Sequence, residues 1–213
     1  MRICLYTGFN KDYAELAKLT IPRMVACAAR HRIDFREFHE PPGGLSIYWT
    51  GVCRGLELFD LGYNYVIYLD ADQLITTPAK FPLFGSGFHI GRDWGTDATD
   101  PLHVSACGFQ CDWAAAPILQ HALDLESEWS DEAFPEQAQL REALAIATSG
   151  PRAVKEGITL HPRRVYGSVP DAVAPGNVPE PWQPGDFAAH LTMVPMDRRI
   201  ELAKELIAQH PWN

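Results

Sequence analysis

The first structural signal in the chain is an unbroken apolar run at residues 2–7 (RICLYT) that stops at Thr-Gly. A strand covered on both faces reads this way, so a buried first strand is expected. Residues 12–30 carry helix formers with apolar residues at helical spacing (Leu16, Leu19, Met24, Ala28), and Pro22 is expected to kink or divide that helix. Residues 33–38 (IDFREF) alternate as a strand does, and EPPGG at 40–44 is loop chemistry. A helix is expected over 45–61, crowded at its end by Leu56, Leu58, Phe59 and Leu61. The run YVIYL at 65–69 is the clearest buried strand, rich in β-branched and aromatic residues and flanked by helices, which argues for a parallel central strand. Weaker strands are expected at 87–91 and 104–111, and helices at 113–128, 132–148 and 197–209, the last with an apolar stripe of Ile200, Ala203, Leu206 and Ile207. Between Gly150 and Gly185, twelve of 36 residues are Gly or Pro. That stretch still holds Val154, Ile158, Leu160, Val165 and Tyr166, so ordered loop with short strands is expected, an interdomain linker being the other reading. Strand and helix alternate over the first 70 residues, the pattern of an α/β doubly wound sheet. There is no internal repeat.

Composition narrows the function classes. Hydrophobic residues are 46% and charged residues 21% of the 213, which fits a globular protein and excludes a disordered one. The length suits one domain, with two small ones as the alternative. A net charge of −9 weighs against nucleic acid as a partner. No apolar run approaches the ~18 residues of a membrane span, and MRICLYTGFN lacks the features of a signal peptide. Five cysteines, an odd number in apolar or helical contexts, suit reduced thiols and a cytoplasmic location.

The candidate chemistry sits where the central strand ends, in YLDADQLI. Alternation puts Asp70 and Asp72 on one side of the chain, and open α/β sheets bind ligands beyond the carboxyl ends of their strands. Two adjacent carboxylates repel unless a cation stands beside them, and Mn²⁺ or Mg²⁺ is the natural guest. The plainer reading is a pair of turn-capping aspartates. A dehalogenase-type phosphatase would place its Asp-x-Asp near the N-terminus with Thr two residues on, where this chain has Leu74. QLITTPAKF lacks the ligands of an EF-hand, and TGFNKDY is not the Gly-rich loop of a sugar nucleotidyltransferase.

VIYLDADQLI with the following PLF, together with YTGFNKDY, Arg54, ACGFQCDW, EQAQL and GDFAAHL in that order along residues 1–191, resembles the retaining glycosyltransferases of the GT-A fold. The chain is most similar to the glycogenin and lipopolysaccharide galactosyltransferase family, and also to the fungal and plant galactosyl- and xylosyltransferases. The resemblance implies a single GT-A domain over 1–213, a Rossmann-like mixed sheet flanked by helices. Residues 1–110 would form the nucleotide-binding half, and 111–213 the acceptor half with a closing metal-ligand strand. It implies transfer of a hexose from a nucleotide-diphosphate sugar, UDP-sugar foremost, to a carbohydrate, lipid-linked or protein acceptor. Thr7, Gly8, Asn10 and Tyr13 match the nucleobase segment, with Tyr13 in the stacking position. Arg54 and Ala71 match positions at the nucleotide-sugar. Asp70, Asp72 and His190 match the metal ligands, Asp72 first among them, and Glu136 and Gln137 match an acidic-Gln pair on the far face of the donor sugar.

This sequence departs from the family in places. Ala106 stands where relatives carry Asn, although Gly108 is kept, and Met193 and Met196 occupy the stretch of a late Gly and a diphosphate-binding Lys. Arg198 or Arg199 is the candidate replacement for that charge. Trp94, Trp113 and Trp182 read as core aromatics, with an acceptor-stacking platform as the alternative. Two other functions stay open: a catalytically inactive nucleotide- or sugar-binding member of the fold, and a metal-dependent phosphatase or nucleotidyltransferase.

Overall fold

In the computed structural model, which describes residues 1–39, 44–92, 104–125, 135–149, 157–166, 168–171 and 181–212, the opening apolar run forms strand β1 (Ile3–Gly8). A single 3₁₀ turn (Lys11–Tyr13) leads into α1 (Ala14–His31), and Asn10 caps that turn by accepting a 3.0 Å hydrogen bond from the Asp12 amide. Pro22 does not divide α1, contrary to the sequence expectation. It lies on the exposed side of the helix, so the missing N–H falls at the solvent face while Leu16, Ala17, Thr20, Met24, Cys27 and Ala28 hold the buried stripe together.

Then follow β2 (Asp34–Phe38), a 3₁₀ turn (Ile47–Trp49), α2 (Thr50–Asp60), β3 (Tyr65–Leu69) and β4 (Gln73–Ile75). The second half holds β5 (Phe88–Arg92), β6 (Val104–Asp112), α3 (Ala116–Asp124), α4 (Pro135–Ser149), β7 (Ile158–His161), β8 (Ala188–His190) and α5 (Met196–Gln209). The helix expected from 45 starts at Thr50. The one expected over 113–128 is shorter, opening as a 3₁₀ turn at Trp113 and ending at Asp124. Val154 and Trp94 lie outside the described residues.

Six strands make the main sheet in the order β2-β1-β3-β6-β5-β7; β6 runs antiparallel to both of its neighbours and the other pairs are parallel. This is the mixed, helix-flanked α/β sheet expected. Side-chain alternation splits its core in two. Cys4, Tyr6, Val66 and Tyr68 pack with α2, α3 and α4 on one face. Leu5, Ile67 and Leu69 meet Met24 and Cys27 of α1 on the other. Losing one such fully buried leucine to alanine costs about 2–5 kcal/mol. All five cysteines are buried free thiols. Among the described residues no helix is long and apolar enough to cross a membrane.

A second, two-stranded antiparallel sheet pairs β4 with β8, placing Gln73 opposite His190. A closing strand was expected within the second half and is β8, but β4 carries no separate sequence signal because it continues the apolar run past the acidic pair. This small sheet carries His190 back to the end of β3.

Candidate active site

Strand β3 is buried along its whole length and stops at Leu69. The chain then turns through Asp70–Gln73, closed by a 3.0 Å bond from the Gln73 amide to the Asp70 carbonyl. Three anchors fix the turn. The Asp70 amide donates to the Cys107 carbonyl on β6 at 2.9 Å. The Thr20 hydroxyl donates to the Ala71 carbonyl at 2.6 Å. The Gln73 side-chain amide donates to the carbonyls of Cys107 and Tyr166 at 2.7 and 2.6 Å. The Leu191 amide, just past β8, donates to the Asp72 carbonyl at 2.9 Å, so the small sheet is stitched to the same turn.

The turn brings Asp70, Asp72 and His190 together, with one ligand atom from each lying within 4.8 Å of the others. Asp72 is 6% and His190 9% exposed. The Tyr68 hydroxyl donates to Asp70 Oδ1 at 2.6 Å. Burial first, and the neighbouring Asp72 second, push the Asp70 carboxyl up to about 7, against the pull of His190 and the Tyr68 hydroxyl. Burial lowers the His190 imidazole, but the Asp72 carboxylate and Cys107 outweigh it and hold its pKa well above the ordinary range. His190 Nε2 stands 3.2 Å from Asp72 Oδ1. Asp72 Oδ1 and His190 Nδ1 are nevertheless buried without a well-formed hydrogen bond among the described residues. Buried polar atoms in that condition are costly unless something binds them. Two carboxylates and an imidazole, one oxygen orphaned, are a donor set that fits a divalent ion of the Mn²⁺ or Mg²⁺ type.

A cleft opens beside the turn. Gly8, Phe9 and Tyr13 line it from the end of β1, Ile47 and Tyr48 from the turn before α2, and Tyr68, Asp70, Ala71 and Asp72 from the end of β3. The parallel register, Tyr6 opposite Tyr68, puts Gly8 level with Asp70. Position 8 has no room for a side chain: a Cβ there would come within 2.1 Å of Thr50 Cγ2. Arg199 on α5 closes the constellation. Its Nη1 donates to Asp72 Oδ2 at 3.0 Å and to the Tyr13 hydroxyl at 3.2 Å, and its Nε donates to the Val194 carbonyl at 2.8 Å. Burial and Asp72 raise the Tyr13 hydroxyl's pKa, against Arg199.

The sequence-predicted residues separate into two groups. Gly8, Tyr13, Asp70, Ala71 and Asp72 line the cleft and His190 adjoins it. Thr7 is fully buried on β1, and Asn10 serves as the cap already described. Arg54 lies over the Phe38 ring, 4.8 Å from its centroid, and pairs with Glu57; it is not among the cleft's lining residues. Gln137 is half-buried in the first turn of α4, a helix that packs against β6 and the Ile47–Trp49 turn. Glu136 precedes it on α4, and Ala106 lies on β6; their side chains are outside the described set. Of the two candidate arginines, Arg199 reaches the site, whereas Arg198 pairs with Glu201 and Glu205 at the surface. Trp113 is 67% exposed, which corrects the core reading, because its amide binds Asn64 at the far end of β3 from the cleft. Trp182 packs half-buried against the α5 core. Phe9, Ile47, Tyr48 and Tyr68 were missed. Phe9 sits inside the quoted YTGFNKDY segment and Tyr68 inside VIYLDADQLI; Ile47 and Tyr48 have no motif around them.

No family model matches the chain, and no curated protein matches it in sequence. Solved structures do match its three-dimensional arrangement. A glycosyltransferase involved in glycosylation of the major capsid of PBCV-1 superposes with a TM-score of 0.68 over 96% of this chain and 100% of its own, at 12% identity. The fold is that of the GT-A glycosyltransferases. The galactosyltransferase LgtC, solved with donor and acceptor sugar analogues, has a TM-score of 0.57 over 99% of this chain and 97% of its own, at 14% identity. Drosophila β1,4-galactosyltransferase 7, solved with manganese, UDP-Gal and xylobiose, has 0.50 over 90% and 71%, at 12% identity. The cleft at the ends of β1 and β3 lies where open α/β sheets place their ligands.

Proposed function

We propose that this chain is a metal-dependent glycosyltransferase that moves a hexose from a nucleoside-diphosphate sugar, a UDP-sugar first among them, to an acceptor hydroxyl with retention at the anomeric carbon. The observation that carries the reading is the convergence of Asp70, Asp72 and His190 beside a cleft that Tyr13 and Tyr48 also line. Aromatic faces suit a nucleobase or a sugar ring, and the acidic cluster suits a cation shared with a diphosphate. The neighbour solved with manganese and UDP-Gal supports that pairing of ligands, and retention rests on the family resemblance. Cytoplasmic location and a single domain belong to the same reading.

In the reaction the bond from the anomeric carbon to the donor's diphosphate oxygen breaks and a bond to the acceptor oxygen forms. The acceptor's proton passes to the leaving phosphate oxygen. Asp70, Asp72 and His190 would hold a divalent ion, which would supply Lewis-acid neutralisation of the charge growing on the diphosphate. The Asp72 backbone is held in the turn by its carbonyl's bond from the Leu191 amide. Tyr68 holds Asp70 through its hydroxyl. Gln137 is proposed to offer its amide oxygen to the cationic character that develops at the anomeric carbon.

The test is nucleotide release from UDP-, GDP-, ADP- and dTDP-sugars, with Mn²⁺ and with chelator. Release of a nucleoside diphosphate from one donor, stopped by chelator, supports the reading. Binding of a donor without any turnover, even with acceptors supplied, favours the inactive binding member. Inorganic phosphate or pyrophosphate as the product favours the phosphatase or nucleotidyltransferase.

A further inference from the structure

Arg199 is not needed to hold Asp72 in place, since the backbone of residue 72 is already tied to Leu191. Yet it places a permanent positive charge, through Nη1, on the one oxygen of Asp72 that does not face His190. Its side chain is 15% exposed and that of Asp72 8%, so water screens the pair little. The Nε bond to Val194 fixes the stem of the guanidinium, and Nη1 is shared with Tyr13 on the cleft. Nη2 makes no hydrogen bond among the described residues, so the guanidinium keeps donors beside Asp72 and Tyr13, two residues that line the cleft. A guanidinium and a divalent ion that draw on one carboxylate repel each other at close range. An anion that accepts hydrogen bonds from the guanidinium removes that conflict.

We infer that Arg199 opposes metal binding at Asp72, and that a diphosphate bound in the cleft relieves the opposition by drawing Arg199 onto itself. Metal and diphosphate then bind with positive coupling that runs through one side chain, and by linkage each tightens the other by the same factor. Arg199 acts here as a positioning residue. The inference rests on the proposed donor and metal site but makes a separate claim about the order in which its charges are satisfied.

The experiment is titration of the full chain with Mn²⁺ alone, followed by electron paramagnetic resonance, and with UDP in the presence of chelator, followed by calorimetry. The chains compared are wild type, Arg199→Met and Arg199→Lys. Arg199→Met is expected to bind Mn²⁺ alone at least tenfold more tightly than wild type and UDP alone at least tenfold more weakly. Arg199→Lys, which keeps the charge, stays within threefold of wild type on both. Mn²⁺ binding that is unchanged or weaker in Arg199→Met overturns the inference, whether or not donor hydrolysis survives. If no nucleotide sugar is bound or cleaved by wild type, the transferase reading fails, while a tenfold gain in Mn²⁺ affinity in Arg199→Met still upholds the metal side of the antagonism. Equal weakening of Mn²⁺ in the Met and Lys variants marks a purely structural arginine and also overturns it.

Discussion

Two histidine sites in this fold are built from similar materials and end in opposite electrostatic states. At the end of β3, buried His190 faces the Asp72 carboxylate, with Arg199 on the carboxylate's other oxygen. At the far edge of the sheet, His89 on β5 faces His161 on β7, 3.1 Å apart, with the Phe84 ring stacked 3.8 Å from that of His161. His89 Nε2 lies 3.2 Å from the carbonyls of Gly85 and Ser86, which only accept, so the network assigns its proton to Nε2. His89 Nδ1 then accepts from His161 Nε2. Burial and the second histidine lower the His161 pKa, whereas Asp72 keeps that of His190 high. Burial is common to both; the neighbour decides the charge. The first site concentrates charge beside a cleft, and in the second burial and the facing histidine favour the neutral ring of His161.

The largest effect that sharpens this contrast comes from Asp72→Ala. It removes the group on which both Arg199 and His190 lean, and breaking a buried pair costs about 3–5 kcal/mol, to be read by urea denaturation. Donor turnover should fall at least about 100-fold, as when preorganised charge is lost from other active sites. Wild-type turnover in this variant would break the assignment of the first site. Next, His190→Asn should lower Mn²⁺ affinity at least tenfold, whereas His161→Phe should leave it unchanged, measured side by side. A loss in His161→Phe would break the separation of the two sites. His161→Phe keeps the stack on Phe84 but removes the donor to buried His89 Nδ1, so it should cost about 1–3 kcal/mol at neutral pH.

The pH dependence comes third. Because the folded pKa of His161 is lowered, the unfolded chain binds its proton more readily, and the stability from the neutral ring is present above the ordinary histidine value and lost as pH falls below it. Thermal melts from pH 7 to pH 5 should therefore drop further in wild type than in His161→Phe. Parallel curves would contradict the neutral pair. The smallest effect concerns Met193, exposed between His190 and Arg199 with a backbone φ of 67°. A backbone in this left-handed region suits glycine, and here Met193 adopts it. Met193→Gly should shift stability by less than about 1 kcal/mol, since relief of the strained backbone is offset by the greater freedom of glycine in the unfolded chain.

The main sheet was largely legible in the sequence because its strands are continuous apolar runs: RICLYT and YVIYL became β1 and β3. Asp70 and Asp72 were legible as a pair because they stand two residues apart where the apolar run YVIYL ends. The placement of His190 was read through the family's pattern rather than from any local signal. What stayed hidden depends on contacts distant in sequence. Strand β4 exists only because β8 pairs with it across more than a hundred residues. Arg199 could not be told from Arg198 by pattern, since adjacent residues on a helix differ by about 100° in facing and only the packing of α5 on α1 decides which one points inward. Pro22 misled for a similar reason: its effect depends on which side of α1 meets water.

The account rests most on the claim that the turn after β3 holds a metal ion and the cleft beside it a nucleoside diphosphate. Crystals grown with UDP and Mn²⁺, measured at the manganese absorption edge, address it directly. The expected result is one anomalous peak bound by Asp70, Asp72 and His190, touching the diphosphate, with the base against Tyr13. A nucleotide bound away from that cleft, or a manganese peak that leaves Asp72 on Arg199 and outside the coordination sphere, would contradict it.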